Sequence, residues 1–189
     1  PPALLTTAPV HDRVGDVTTN DEWKPMRFAY ADPPYLGCGK LYAKHHGDAL
    51  RWDDVSNQIR LLEQLHDEYP DGWVFSCNPK DLKHYLPVIA DDVRIGAYCK
   101  TFHQWRPTSV QHAWEPVLFR GGRSLLRRNP MVRDYVVSGP KFGGLVGNKP
   151  PAFNRWVLDL LGFQDGDVID DLFPGTGGLE DEIAQGVLL

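Results

Sequence analysis

Apolar positions along this chain fall into short continuous runs separated by stretches of helical period. Phe28-Ala29-Tyr30-Ala31, Trp73-Val74-Phe75-Ser76-Cys77 and Arg94 to Lys100 read as buried strands. Between the first two, Val55, Ile59, Leu62, Leu65 and Tyr69 share one face of a helix from Asp53 to Tyr69, with Asp53 or Asp54 as its cap. A second helix, Asp81 to Ala90, follows the Asn78-Pro79 break, and Glu115-Pro116-Val117-Leu118-Phe119 reads as an antiparallel strand closing the sheet. Prolines open a helix over Pro151 to Leu161, which turns Phe153, Trp156, Val157 and Leu160 inward and stops at Gly162. A strand from Asp167 to Phe173 and a last helix, Leu179 to Ala184, complete the pattern. The alternation predicts an α/β fold, mostly parallel with an antiparallel strand, helices on both faces, and one domain over residues 1–189.

Composition narrows the function classes. The chain is 42% hydrophobic and 24% charged, as in soluble globular proteins, and no apolar run is long enough to span a membrane. No signal-peptide pattern opens it, so the expected location is cytoplasmic. Cys38, Cys77 and Cys99 lack a CxxC spacing, and the His45-His46 pair has no third ligand at a metal-site distance. They predict reduced thiols, solvated imidazoles and no metal. The net charge of −5 is mildly unfavourable for nucleic acid, but its distribution is uneven. Residues 120–149 carry seven basic side chains against one acid. Within them, 120–147 reads as a short basic insert in which Arg120, Arg123, Arg127, Arg128, Arg133 and Lys141 contact nucleic acid, or else as a solvated loop.

The chemistry concentrates at two strand ends. After Ala31 come Asp32, Pro33, Pro34 and Tyr35; the prolines have no N–H and end the ladder, leaving a carboxylate and a ring on a stiff loop. Open α/β sheets bind ligands at this end of their strands. A fixed acceptor beside a stacking ring suits a planar substrate with an exocyclic amine. Gly37 and Gly39 permit a mobile loop next to it. Near the other end of the chain, Asp171-Leu172-Phe173-Pro174-Gly175-Thr176-Gly177 runs a strand into a Gly-rich turn where backbone can approach a ligand closely. Either motif alone is compatible with an ordinary strand and turn.

Together, and in this order, the two motifs resemble those of the permuted (beta-type) DNA amino-methyltransferases that use S-adenosylmethionine, the N6-adenine and N4-cytosine enzymes. The resemblance spans roughly residues 15–178 and is sharp at its two ends. It implies a Rossmann-like methyltransferase sheet with flanking helices and S-adenosylmethionine as cofactor. It implies that Asp32 and the Pro33 carbonyl accept the two amine hydrogens, with Pro34 stiffening the loop and Tyr35 stacking on the base. Asp171, Phe173, Gly175, Thr176 and Gly177 would shape the cofactor site, with Lys149 beside it and Asp16 near the cofactor adenine. The implied partner is DNA, with its base flipped from the duplex or single-stranded, and a homodimer or partner subunit is compatible with it. Asp in the first motif position favours adenine N6; cytosine N4, RNA adenine, a small-molecule substrate and a non-catalytic DNA-binding or partner-supporting module stay open. Two features depart from the family pattern. Gly178 stands where Thr is common, and only 11 residues follow it, where relatives continue to an acid that holds the cofactor ribose.

Overall fold

The computed structural model describes residues 24–44, 46–104, 109–124, 131–139 and 147–186. Asp16, Trp23, His45, Trp105, Arg106, Arg127, Arg128 and Lys141 lie outside them. Six strands, β1 (Arg27–Ala31), β2 (Gly72–Ser76), β3 (Arg94–Gln104), β4 (His112–Gly121), β5 (Tyr135–Ser138) and β6 (Val168–Asp171), form one sheet in the order β5-β3-β4-β2-β1-β6. β1 is flanked in parallel by β2 and β6, and β5 is parallel to β3. β4 runs antiparallel to both of its neighbours. It therefore sits inside the sheet, where the sequence placed it as the closing strand.

Side chains alternating across the pleat divide the core in two. Phe28 and Tyr30 of β1 join Val74, Tyr98, Val117 and Phe119 beneath α4 (Pro151–Leu161), which contributes Phe153, Trp156, Val157 and Leu161. Ala29 and Ala31 face the other way, with Trp73 and Phe75, against Leu61, Leu62 and Leu65 of α2 (Val55–Glu68). Both faces of β2 are thus covered, and all of its residues are buried. The Asp54 carboxylate caps α2 by accepting the Ser56 N–H, while Asp53 instead accepts from Gly39. That bond ties down the predicted mobile loop, which contains α1 (Gly39–Tyr42) and a 3₁₀ turn at Ala49–Asp53.

The predicted helix from Asp81 to Ala90 is shorter than its pattern. A 3₁₀ turn, Pro79–Asp81, leads into α3 (Leu82–Tyr85), and the chain leaves the helix at Leu86. Pro87 explains this, because it has no N–H to donate to the Lys83 carbonyl and so interrupts the helical ladder just after Leu86. β5 lies in the stretch without clear periodicity. Its four residues alternate only between exposed and half-buried, too weak a pattern to show in sequence. α5 (Gly178–Ala184) closes the fold. Among the described residues, no helix is long and apolar enough to cross a membrane, and no cluster of His, Cys, Asp and Glu could hold a metal.

Candidate active site

Topology brings four segments to the carboxyl end of the parallel strands. Tyr30 of β1 is in register with Asp171 of β6, so Asp32 follows β1 next to the turn after β6. β4 runs the opposite way, and its amino-terminal half delivers Glu115 to the same end. Lys149 arrives from just before α4.

These groups form one ionic cluster that is largely but not fully buried. The Lys149 ammonium donates to both Asp32 oxygens at 2.9 and 2.8 Å and to the Tyr35 hydroxyl at 3.1 Å. It stands 3.3 Å from Glu115, which also accepts from the Tyr35 hydroxyl at 2.9 Å and pairs with Lys100. The ammonium also lies 5.3 Å over the Tyr35 ring and 5.5 Å over that of Phe153. Burial pushes the Asp32 carboxyl above its ordinary pKa, and Lys149 opposes the rise. For Lys149 burial alone would lower the pKa, but Asp32 and Glu115 outweigh it and hold the ammonium well above its usual range. Burial would likewise raise Glu115, yet Lys149 and Lys100 bring it down to about 2. Lys149 is thus bonded to Asp32, and it also lines the cavity next to it, where the sequence expected it beside the cofactor site.

The loop carbonyls are shared out. That of Pro34 accepts from Gln58 Nε2 at 3.0 Å, and that of Tyr35 from the Cys38 N–H at 2.8 Å. Gln58 also donates to the Trp52 carbonyl at 2.7 Å and accepts from the Tyr85 hydroxyl. The Pro33 carbonyl has no hydrogen-bond partner among the described residues.

A cavity of about 290 Å³ opens beside Asp32. Of the residues predicted for a cofactor, Lys149, Asp171, Phe173, Gly175 and Thr176 line it. Gly175 and Gly177 adopt φ of 53° and 73°, the left-handed region that side chains disfavour, and so bend the turn into α5. Phe173 meets Trp52 edge to face at 4.9 Å. Burial raises Asp171 to about 6, with the charges of Asp32 and Glu180 adding to the rise, although its Oδ1 accepts the Phe173 N–H. Sequence reasoning missed Glu115, Gln58 and Asn154 as site residues. The last two are polar residues on otherwise apolar helix faces, and that was the available signal.

Two predicted nucleic-acid contacts lie elsewhere. Gly72 is in register with Gly121, which puts Arg120 and Arg123 at the opposite end of the sheet from Asp32. Arg120 pairs with Asp92 at 2.7 Å and Arg123 with buried Asp167 at 2.6 Å. Arg133, near the sheet edge, lies 5.7 Å over the Tyr135 ring.

A sheet with one antiparallel strand among parallel ones, and a Gly-rich turn at its carboxyl end, is a Rossmann-like methyltransferase fold. No family model matches the chain, and no curated protein does. Among solved structures the chain is similar to the crystal structure of the M1.HpyAVI–SAM complex, with a TM-score of 0.56 and 13% identity over 85% of this chain and 78% of that one. At that identity the likeness bears on the fold.

Proposed function

We propose that this chain transfers a methyl group from S-adenosylmethionine to the exocyclic amine of a DNA base, adenine N6 being the preferred target. The observation that carries the reading is the juxtaposition of Asp32 with the Gly-rich turn across a single cavity. The residues present fit the cofactor: Trp52 and Phe173 offer an aromatic wall for a flat base, and the glycine turn offers close backbone approach. The solved complex of similar fold holds SAM.

When bound, S-adenosylmethionine supplies an electrophilic methyl group on a sulfonium. The chain's own residues prepare the acceptor. A ring-conjugated amine is a poor nucleophile because its lone pair is delocalised. Asp32 accepts one N–H and the unpaired Pro33 carbonyl the other, which favours a pyramidal nitrogen whose lone pair is free to attack; the charge-assisted bond to Asp32 is the stronger. Lys149 fixes the carboxylate plane and opposes the rise in pKa that burial brings. The nitrogen loses one proton as it gains the methyl, and the Asp32 side chain, 20% exposed, is the route by which that proton leaves. Holding the amine in place supplies much of the remaining advantage.

A base reaches this recess only when unpaired. Beside the site, the β3–β4 ribbon carries Phe102 and Trp114, 38% and 39% exposed, with the Lys100 ammonium 5.9 Å over the Phe102 ring. Exposed aromatic and cationic groups on such a ribbon suit stacking on single-stranded bases. The test is transfer from labelled S-adenosylmethionine to unmethylated duplex and single-stranded DNA and to RNA, read by nucleoside mass spectrometry. N6-methyldeoxyadenosine is expected, and a folded protein that yields no methylated nucleoside from any of them overturns the proposal.

A further inference from the structure

We infer that Asn154 recognises the amino-acid end of the cofactor, an assignment that rests on the function proposed above. Asn154 sits in the first turns of α4, is 96% buried by its 4% exposure, and lines the cavity next to Gly178. Its backbone N–H bonds to the Pro150 carbonyl, but its side-chain amide has no hydrogen-bond partner among the described residues. An amide carries two donors and an acceptor oxygen, and leaving all of them unused at such burial is costly. Asn154 is nonetheless among the residues that line the cavity. The space beside its amide is not accidental: a Cβ on Gly178 would come within 2.9 Å of Nδ2, so the absence of a side chain there gives the amide its room.

The two sides of the cavity decide which part of the cofactor the amide meets. Three arms leave the sulfonium: the methyl, which points to the amine held at Asp32; a ribosyl adenine, ending in a flat ring; and a propyl chain ending in an α-amino acid, a zwitterion. On the α2 side the cavity is walled by Trp52, Phe173, Leu172 and Ala49, a surface for the ring. On the α4 side Lys149 is already committed to Asp32 and Glu115, and of the polar residues that line the cavity there beside it, Asn148, Asn154 and Thr176, Asn154 is the buried one. A carboxylate beside an ammonium is the ligand that uses both halves of an amide, Nδ2–H donating to the first and Oδ1 accepting from the second.

Calorimetry with two probes separates the arms. S-adenosylhomocysteine carries the amino acid, and 5′-methylthioadenosine has the same nucleoside without it. Asn154→Ala should weaken S-adenosylhomocysteine roughly 10- to 100-fold, the loss expected for hydrogen bonds to charged groups, and leave 5′-methylthioadenosine unchanged. Gly178→Ala, which crowds the amide without touching it chemically, should act in the same direction and less strongly. Equal weakening of both probes, or undiminished S-adenosylhomocysteine binding in Asn154→Ala, overturns the assignment and leaves the proposed function standing. A folded wild-type protein that binds neither probe removes the proposed function and this assignment with it.

Discussion

Each end of the sheet sets an aspartate against a cation, and the two carboxylates differ in how completely the protein satisfies them. At the amino end of the parallel strands, Asp167 has a fully buried side chain and accepts from the Met26 N–H at 2.8 Å, the Gln164 N–H at 2.9 Å and Arg123 at 2.6 Å. Nothing is left over for a ligand. At the carboxyl end Asp32 takes its two bonds from Lys149, keeps one face on a cavity, and is followed by a residue whose carbonyl is unpaired. A carboxylate with a complete set of partners is structural, even though Nε of its partner Arg123 is buried without an acceptor, and a carboxylate with an incomplete set beside open space is a reactive group. The contrast also explains why basic residues read together in the sequence separate in the fold, since Arg123 is spent on the first kind of pair.

The largest effect should come from breaking the closed pair. Arg123→Ala strands the Asp167 carboxylate in the core and should cost about 3–5 kcal/mol in denaturant unfolding, while cofactor binding by the folded fraction stays intact. Next is Lys149→Met, expected to lower methyl transfer by about 100-fold, or roughly 2.7 kcal/mol. Lys149 holds the Asp32 pKa down, so its loss raises that pKa and moves the acid limb of the rate profile to higher pH. An unmoved limb would show that Lys149 does not tune Asp32.

Asp171→Asn should have a smaller effect, of opposite sign. A carboxyl raised from 3.8 to about 6 binds more protons folded than unfolded between those values, so stability falls as pH rises through them and the penalty is complete above about 6. The full shift corresponds to about 3 kcal/mol, and water at the cavity reduces it to roughly 1–2. The variant should gain that much at pH 7 and flatten the profile between 4 and 6; a loss of stability there would refute the account of Asp171. Arg120→Gln should matter least. Its partner Asp92 is 57% exposed, so about 0–1 kcal/mol is expected, with no change in DNA affinity.

Strands buried on both faces, such as Phe28 to Ala31 and Trp73 to Ser76, were legible in the sequence because continuous apolar runs have few other uses. So was the pairing of Asp32 with the Gly-rich turn, through two motifs that topology had only to bring together. Glu115 was not, because what places it at the site is the reversed direction of β4 and its insertion between β2 and β3, and neither leaves a local mark. Gln58 and Asn154 fell on apolar helix stripes, where a single polar residue reads as an interruption until its surroundings are known. The helix after Asp81 was read too long because its apolar period continues through Pro87, while the backbone does not.

The most direct measurement compares the two aspartate pairs in one experiment: methyl transfer to single-stranded DNA and thermal unfolding, for Asp32→Asn and Arg123→Ala beside the wild type. The account predicts that Asp32→Asn loses transfer and keeps its melting temperature, while Arg123→Ala melts several degrees lower and still transfers when folded. An Asp32→Asn protein that methylates DNA at the wild-type rate would contradict it.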